Sequence, residues 1–124
     1  MDKYKFISDQ MDILAVPYEF GMWTSDVKYP YFVGELTESP INTEDGKEES
    51  TMILTGFHRG KRIDLETVKK KIKQHFNPIT GKCASTDSGS IAVFFDSSFY
   101  VPTGEAELQK IQINLKIIEW KGVM

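Results

Sequence analysis

Apolar and polar residues alternate most regularly near the C-terminal end of the sequence. Between positions 111 and 117 the odd-numbered residues are aliphatic and the even-numbered residues are polar. Successive side chains of a strand point to opposite faces, so this alternation predicts a strand over residues 108–120 with one buried face. The aliphatic residues are Ile111, Ile113, Leu115 and Ile117.

Four further segments are rich in the aromatic and β-branched residues that strands favour. Residues 16–22 alternate and contain Pro17, which predicts an edge strand because proline cannot donate a ladder hydrogen bond. Residues 29–36 and 50–57 flank an acidic turn and predict a hairpin. A short apolar segment at 90–95 predicts another strand.

Two segments instead repeat apolar residues at helical spacing. The first lies between Tyr4 and Leu14 and ends before Pro17. The second is expected to begin at Leu65, with Asp64 as its N-cap. It ends at Asn77-Pro78, and residues 79–89, rich in Gly, Ser and Thr, predict a loop. The apolar stripes comprise Tyr4, Ile7, Met11 and Leu14 in the first helix, and Leu65, Val68, Ile72 and Phe76 in the second.

The order of these elements, a helix, three strands, a helix and two strands, predicts an α+β fold. Short connections favour antiparallel neighbours over crossovers. We expect one antiparallel, possibly mixed, sheet of about five strands. Both helices should pack on one face, because each has a single apolar stripe to bury. The 124 residues fit a single domain spanning 1–124, without an internal repeat.

Composition narrows the class of protein. The sequence is 40% hydrophobic and 27% charged, as is ordinary for a globular protein, and its net charge of −3 argues against a general nucleic-acid binder. No apolar run approaches the roughly 20 residues that cross a bilayer. The N-terminus lacks the pattern of a secretory signal, so we expect residence in a reducing cytoplasm. Cys83 is the only cysteine, which excludes an intramolecular disulfide.

Charge is unevenly distributed along the sequence. The predicted turn at 37–49 contains five acidic residues and one lysine, whereas residues 59–73 are rich in Lys and Arg. Solvated surfaces are the ordinary interpretation of both segments. The alternative is a contact in which the lysines of one copy meet the acidic loop of another. The candidate interface residues are Glu44, Asp45, Glu48, Glu49, Arg59, Lys69, Lys70 and Lys71.

No catalytic pattern stands out. His58 and His75 are not at the spacing of a metal site, and the acidic turn lacks the arrangement of a calcium loop. No Gly-Lys pair has the glycine spacing of a phosphate-binding loop. We therefore expect a protein that is not an enzyme and that uses no metal or cofactor. The aromatic residues Trp23, Tyr29, Tyr31 and Phe32 are mostly candidates for the core, with one or two of them as alternative interface anchors.

The whole pattern resembles a known family. An N-terminal helix precedes residues 16–20 (VPYEF), a tryptophan at Trp23 and residues 29–33 (YPYFV), followed by an acidic hairpin, a strand, a helix and C-terminal strands. This arrangement is similar to the tail-terminator or tail-completion (head-tail joining) proteins of long-tailed bacteriophages and prophages. The resemblance covers nearly the whole sequence and implies a small α+β structural subunit.

The resemblance also implies a function. Such a subunit forms a hexameric ring with copies of itself, caps the polymerised tail-tube protein, ends tail growth and presents a surface to the head-completion or neck protein. DNA passes through the lumen without specific binding. The protein would be assembled in the cytoplasm of the host bacterium and would reside in the virion tail, with no membrane partner. The alternatives are another small neck or tail connector, a small cytoplasmic ligand-binding protein or enzyme, and an interaction domain of a host regulatory system.

Overall fold

Two helices and six strands make up the part of the chain that the computed structural model describes, which covers residues 2–38, 47–86 and 89–121. Asp2 caps the first helix, because its carboxylate accepts hydrogen bonds from the backbone N–H groups of Tyr4 and Lys5. The elements are α1 Lys3–Ile13, β1 Tyr18–Phe20, β2 Tyr31–Glu38, β3 Lys47–Arg59, α2 Arg62–His75, β4 Lys82–Thr86, β5 Gly89–Val101 and β6 Leu108–Lys121.

The six strands form one mixed sheet in the order β1-β2-β3-β6-β5-β4. The pair β1 and β2 is parallel, and the other neighbouring pairs are antiparallel. At the centre of the sheet, β3 and β6 pair along the whole length of β3, from Lys47 opposite Trp120 to Arg59 opposite Leu108. The predicted α+β class is confirmed.

One face of the sheet is covered by both helices. Phe6, Ile7 and Met11 of α1 join Leu65 and Ile72 of α2 in a single buried cluster with alternate strand residues. The predicted phase of the C-terminal strand is confirmed, because the four aliphatic residues of its alternating stretch at 111–117 are fully buried. The strand members of the cluster include Phe32, Met52, Leu54, Ile91, Val93, Phe95, Ile111, Ile113, Leu115 and Ile117.

The opposite face carries neither α1 nor α2, and we call it the bare face. Its side chains alternate along each strand with the buried ones. Most are half-buried by their neighbours within the sheet. The bare face includes Tyr31, Val33, Glu49, Ile53, Thr55, Phe57, Lys110, Gln112, Asn114 and Lys116.

The sheet has one strand more than the five expected. The loop predicted over residues 79–89 is wrong, because Lys82–Thr86 forms β4 and pairs with the start of β5. Cys83 and Ser85 are exposed on this edge strand. Polar residues are tolerated there, so β4 shows no alternation of apolar and polar positions that would reveal it in the sequence.

The expected antiparallel arrangement is wrong for β1. This strand is an edge strand, as predicted, but it lies parallel to β2, with Tyr18 opposite Phe32. Residues 21–30 are long enough to return the chain to the start of the next strand. The returning segment is fixed by Glu19, whose carboxylate accepts hydrogen bonds from the Thr24 hydroxyl at 2.5 Å and from the backbone of Ser25 at 3.2 Å.

Several predicted boundaries also change. The strand predicted at 90–95 extends to Val101, and the strand predicted at 16–22 is confined to Tyr18–Phe20. The second helix begins at Arg62 with Lys61 as its N-cap, not at Leu65, and Asp64 lies in its first turn. Asp64 is therefore inside the helix and cannot be its N-cap, and its carboxylate pairs with His58 Nε2 at 3.3 Å. The turn expected over 37–49 is shorter, because β2 extends to residue 38 and β3 begins at residue 47. Residues 39–46 lie outside the described residues.

Candidate protein interface

The acidic residues of the predicted hairpin do not form one cluster on a loop. Glu48 and Glu49 lie at the start of β3, where alternation directs them to opposite faces of the sheet. The Glu49 carboxylate lies 3.2 Å from Lys47 Nζ and 3.9 Å from Lys116 Nζ. Glu44 and Asp45 lie outside the described residues. The structure therefore gives Glu49 internal partners on the bare face.

A second acidic group lies at the same end of the sheet on its helix-covered face. Lys3 Nζ lies 2.8 Å from the Glu38 carboxylate and 3.1 Å from that of Glu119. Burial opposes the charge of Lys3, but the hydrogen bonds to Glu38 and Glu119 outweigh it and raise the pKa of the lysine. Sequence reasoning missed this cluster, because no local pattern relates residues 116 positions apart. We call Glu38, Glu48, Glu49 and Glu119 the acidic end of the sheet.

Arg59 lies at the other end of β3. It lies eleven positions after Glu48, which corresponds to about 36 Å along an extended strand. Its guanidinium lies 3.6 Å from the carboxylate of Glu105, and both side chains are largely exposed. Arg59 and the acidic end therefore cannot meet within one copy.

The three consecutive lysines of α2 have different surroundings. Lys69 pairs with Glu66, whose carboxylate also accepts a hydrogen bond from the Tyr100 hydroxyl. The hydrogen bonds from Lys69 and Tyr100 lower the pKa of Glu66. Lys70 and Lys71 are exposed, and no described carboxylate lies within salt-bridge distance of either. Of these three lysines, Lys70 and Lys71 can therefore meet an acidic partner without breaking an internal pair, whereas Lys69 cannot.

An aromatic row crosses the bare face. The ring centroids of Trp23 and Tyr31 are 4.7 Å apart, and Tyr31 stacks on Phe57 at 5.2 Å. Lys110 Nζ lies 5.5 Å from the centroid of Phe57. Tyr29 is exposed beside this row and Phe32 is fully buried, so the aromatic residues considered from the sequence divide between surface and core. The register of β2, β3 and β6 brings the row together.

A cavity of about 230 Å³ opens near the acidic end of the sheet. Its charged lining groups include Glu49 and Asp96 beside Lys116, and Thr37 and Thr51 add hydroxyls. The arrangement of these side chains is that of a solvated polar groove, and not that of an acid–base pair beside a nucleophile. Across the described ranges, no three His, Cys, Asp or Glu side chains come together as they would around a metal ion.

Neither a scan of protein-family models nor a search of curated proteins found a match to this sequence. In the part of the chain that the structure describes, neither helix has the length and apolar character of a membrane span.

Proposed function

We propose that this protein is a structural subunit of a phage or prophage tail, which forms a hexameric ring, caps the tail tube, ends tail growth and provides the surface for head joining. The resemblance of residues 16–33 to tail-terminator proteins supports this role. So does the order of the elements, in which a helix and an edge strand precede the β2–β3 hairpin, a second helix and the remaining strands.

The observation that carries the proposal is the sheet with two different open edges. Among the described strands, none pairs with the outer side of β1 or of β4, which lie at opposite ends of the strand order. A ring subunit needs two distinct surfaces, one for the preceding copy and one for the next. Edge strands are the usual places where a sheet meets another chain.

The charge distribution also suits a ring through which DNA passes. Glu38, Glu48, Glu49 and Glu119 lie at one end of the sheet, at the base of the acidic hairpin. Negative charge repels phosphate, so this end can face a channel without retaining DNA. In this arrangement the protein has no enzymatic activity, and its partners are copies of itself, the tail-tube protein and the head-completion or neck protein.

The proposal is tested by adding the purified protein to the polymerising tail-tube protein of the same phage. We expect electron microscopy to show a ring at one end of each tube and a halt in elongation at that end. Bound rings that leave elongation unchanged would favour a neck or connector role. Tubes that lengthen freely with no protein at their ends would contradict the proposal.

A further inference from the structure

One edge of the molecule is strongly basic. Residues 67–86, which run from the middle of α2 to β4, contain five lysines and no acidic residue. Lys70, Lys73 and Lys82 have no carboxylate within salt-bridge distance among the described residues. In contrast, Lys69 is already paired with Glu66. Unpaired lysines therefore concentrate on one side of the fold.

Local contacts place two of these lysines, Lys73 and Lys82, beside the outer strands. Lys73 Nζ lies 5.7 Å from the ring centroid of Phe95 on β5. Burial, and then the charge of Lys82 on β4, lower the pKa of His75 at the end of α2, so the start of β4 lies close to that helix end. Ile79, between the helix and the strand, is 87% exposed. We call Lys70, Lys73, Ile79 and Lys82 the basic edge.

The opposite edge has the opposite sign. Residues 4–28 contain four acidic residues against two lysines, and Asp12 and Asp26 are exposed. Apolar side chains are exposed here as well. Tyr4 and Phe20 make an edge-to-face contact with ring centroids 4.9 Å apart, and Met22 is 69% exposed. We call Tyr4, Asp12, Phe20, Met22 and Asp26 the acidic edge.

We propose that the basic edge of one copy docks against the acidic edge of the next, with the exposed Ile79 side chain against the Tyr4, Phe20 and Met22 patch. This inference rests on the proposed ring function and specifies the surfaces that build the ring. The two edges differ in sign and lie at opposite sides of one sheet, so the contact is head-to-tail, the kind that closes into rings. A two-fold contact of either edge with itself would place like charges opposite each other, which disfavours it.

The native cysteine makes a direct test possible. Cys83 is exposed on β4, so the variant Met22→Cys has one thiol on each edge. A short bis-maleimide should link these thiols between neighbouring copies. Denaturing electrophoresis should then show a ladder extending beyond the dimer. The wild-type protein, with only Cys83, and the variant Thr67→Cys, with its second thiol on the exposed side of α2, should stop at dimers.

Charge reversal identifies the surfaces independently. Lys73→Glu/Lys82→Glu in the Met22→Cys background should raise the protein concentration needed for the ladder by about tenfold. The effect is limited because each exposed ion pair contributes only modestly to the free energy of association. Adding Asp12→Lys/Asp26→Lys to the same chain should restore the ladder. Salt screens exposed charges, so the restored ladder should weaken at elevated salt. A ladder restored equally at low and elevated salt would contradict an electrostatic contact between these edges.

The proposal is overturned if Met22→Cys yields only dimers at every concentration, with or without tail tubes, or if Thr67→Cys yields an equal ladder. Either result would leave the proposed tail function intact and would assign the ring contact to another surface. Conversely, a ladder from a protein that leaves tail-tube growth unchanged would support the edge contact and contradict the proposed function.

Discussion

His75 Nε2 on α2 and Gln10 Oε1 on α1 lie 2.6 Å apart, and this hydrogen bond joins the two helices on the covered face of the sheet. Burial, followed by the charge of Lys82, lowers the pKa of His75 from its usual 6.5. The unfolded chain therefore binds a proton more readily than the folded one. The stability associated with neutral His75 is complete above about pH 6.5 and is lost as the pH falls through the lower, folded-state pKa.

The variant His75→Gln tests this pH dependence. We expect its free energy of unfolding to decrease less than that of the wild type between about pH 7.5 and about pH 5.5, because the titrating group is gone. Urea denaturation at the two pH values measures the difference. Gln74→His, which adds a histidine at a neighbouring exposed position, serves as a control and should follow the wild type. Parallel losses in His75→Gln and the wild type would contradict the assignment.

The alternation of β6 makes a second prediction. Leu115 is fully buried, so Leu115→Ala should cost about 2–5 kcal/mol of unfolding free energy. Asn114 lies on the bare face, where its side chain donates to Ser97 Oγ at 3.0 Å, and Asn114→Ala should cost only about 0.5–1.5 kcal/mol. Denaturant melts of both variants provide the measurement. Equal small losses would show that the phase of the strand is wrong.

The close packing around Gly56 leaves no room for a larger residue at this position. A Cβ atom at this position would overlap the ring of Phe32, which is fully buried opposite it on β2. Gly56→Ala should therefore destabilise the protein by about 1–3 kcal/mol, because the ring has little room to move. Thr55→Ala, one residue earlier on the bare face, is the matched control and should cost about 1 kcal/mol or less. A Gly56→Ala melt that matches the wild type would exclude the close contact.

Because Lys69 is paired within the protein, we expect Lys69 and Lys71 to contribute differently to the free energy of unfolding. Lys69→Glu would place a second carboxylate beside Glu66, and we expect a loss of about 0.5–1 kcal/mol in unfolding free energy. Lys71→Glu, on the exposed surface, should change it by less than about 0.5 kcal/mol. Thermal melts of both single variants at low salt make the comparison. A larger loss for Lys71→Glu would reverse this assignment.

The sequence predicted the elements whose side chains are buried on one side. Most of both helix stripes and the alternating aliphatic residues of β6 lie in or against the core, because burial imposes a period of 3.6 or 2 on apolar positions, but Tyr4, expected in the first stripe, is exposed. It did not predict β4, whose exposed Cys83 and Ser85 carry no such period. It also did not predict the parallel β1, since strand direction depends on how the segment at 21–30 returns.

Less of the candidate interface could be predicted from the sequence. The charges of Glu49 and Lys69 were visible as parts of acidic and basic runs, but their internal partners were not. Strand pairing brings Lys116 to Glu49, and helix packing brings Tyr100 to Glu66, the helical partner of Lys69, over separations that local patterns do not encode. The two edges of opposite sign emerge only from the strand order, which places β1 and β4 at opposite sides of the sheet.

The most direct test of the central claim is the length of tails produced by a phage or induced prophage from which this gene has been deleted. Electron microscopy should show tails of uncontrolled length, or tails without heads, and a plasmid copy of the gene should restore finished virions. The Lys73→Glu/Lys82→Glu variant should accumulate as folded protein yet restore fewer virions than the wild-type copy. Finished virions with normal tail length in the deletion strain would contradict the tail-terminator role.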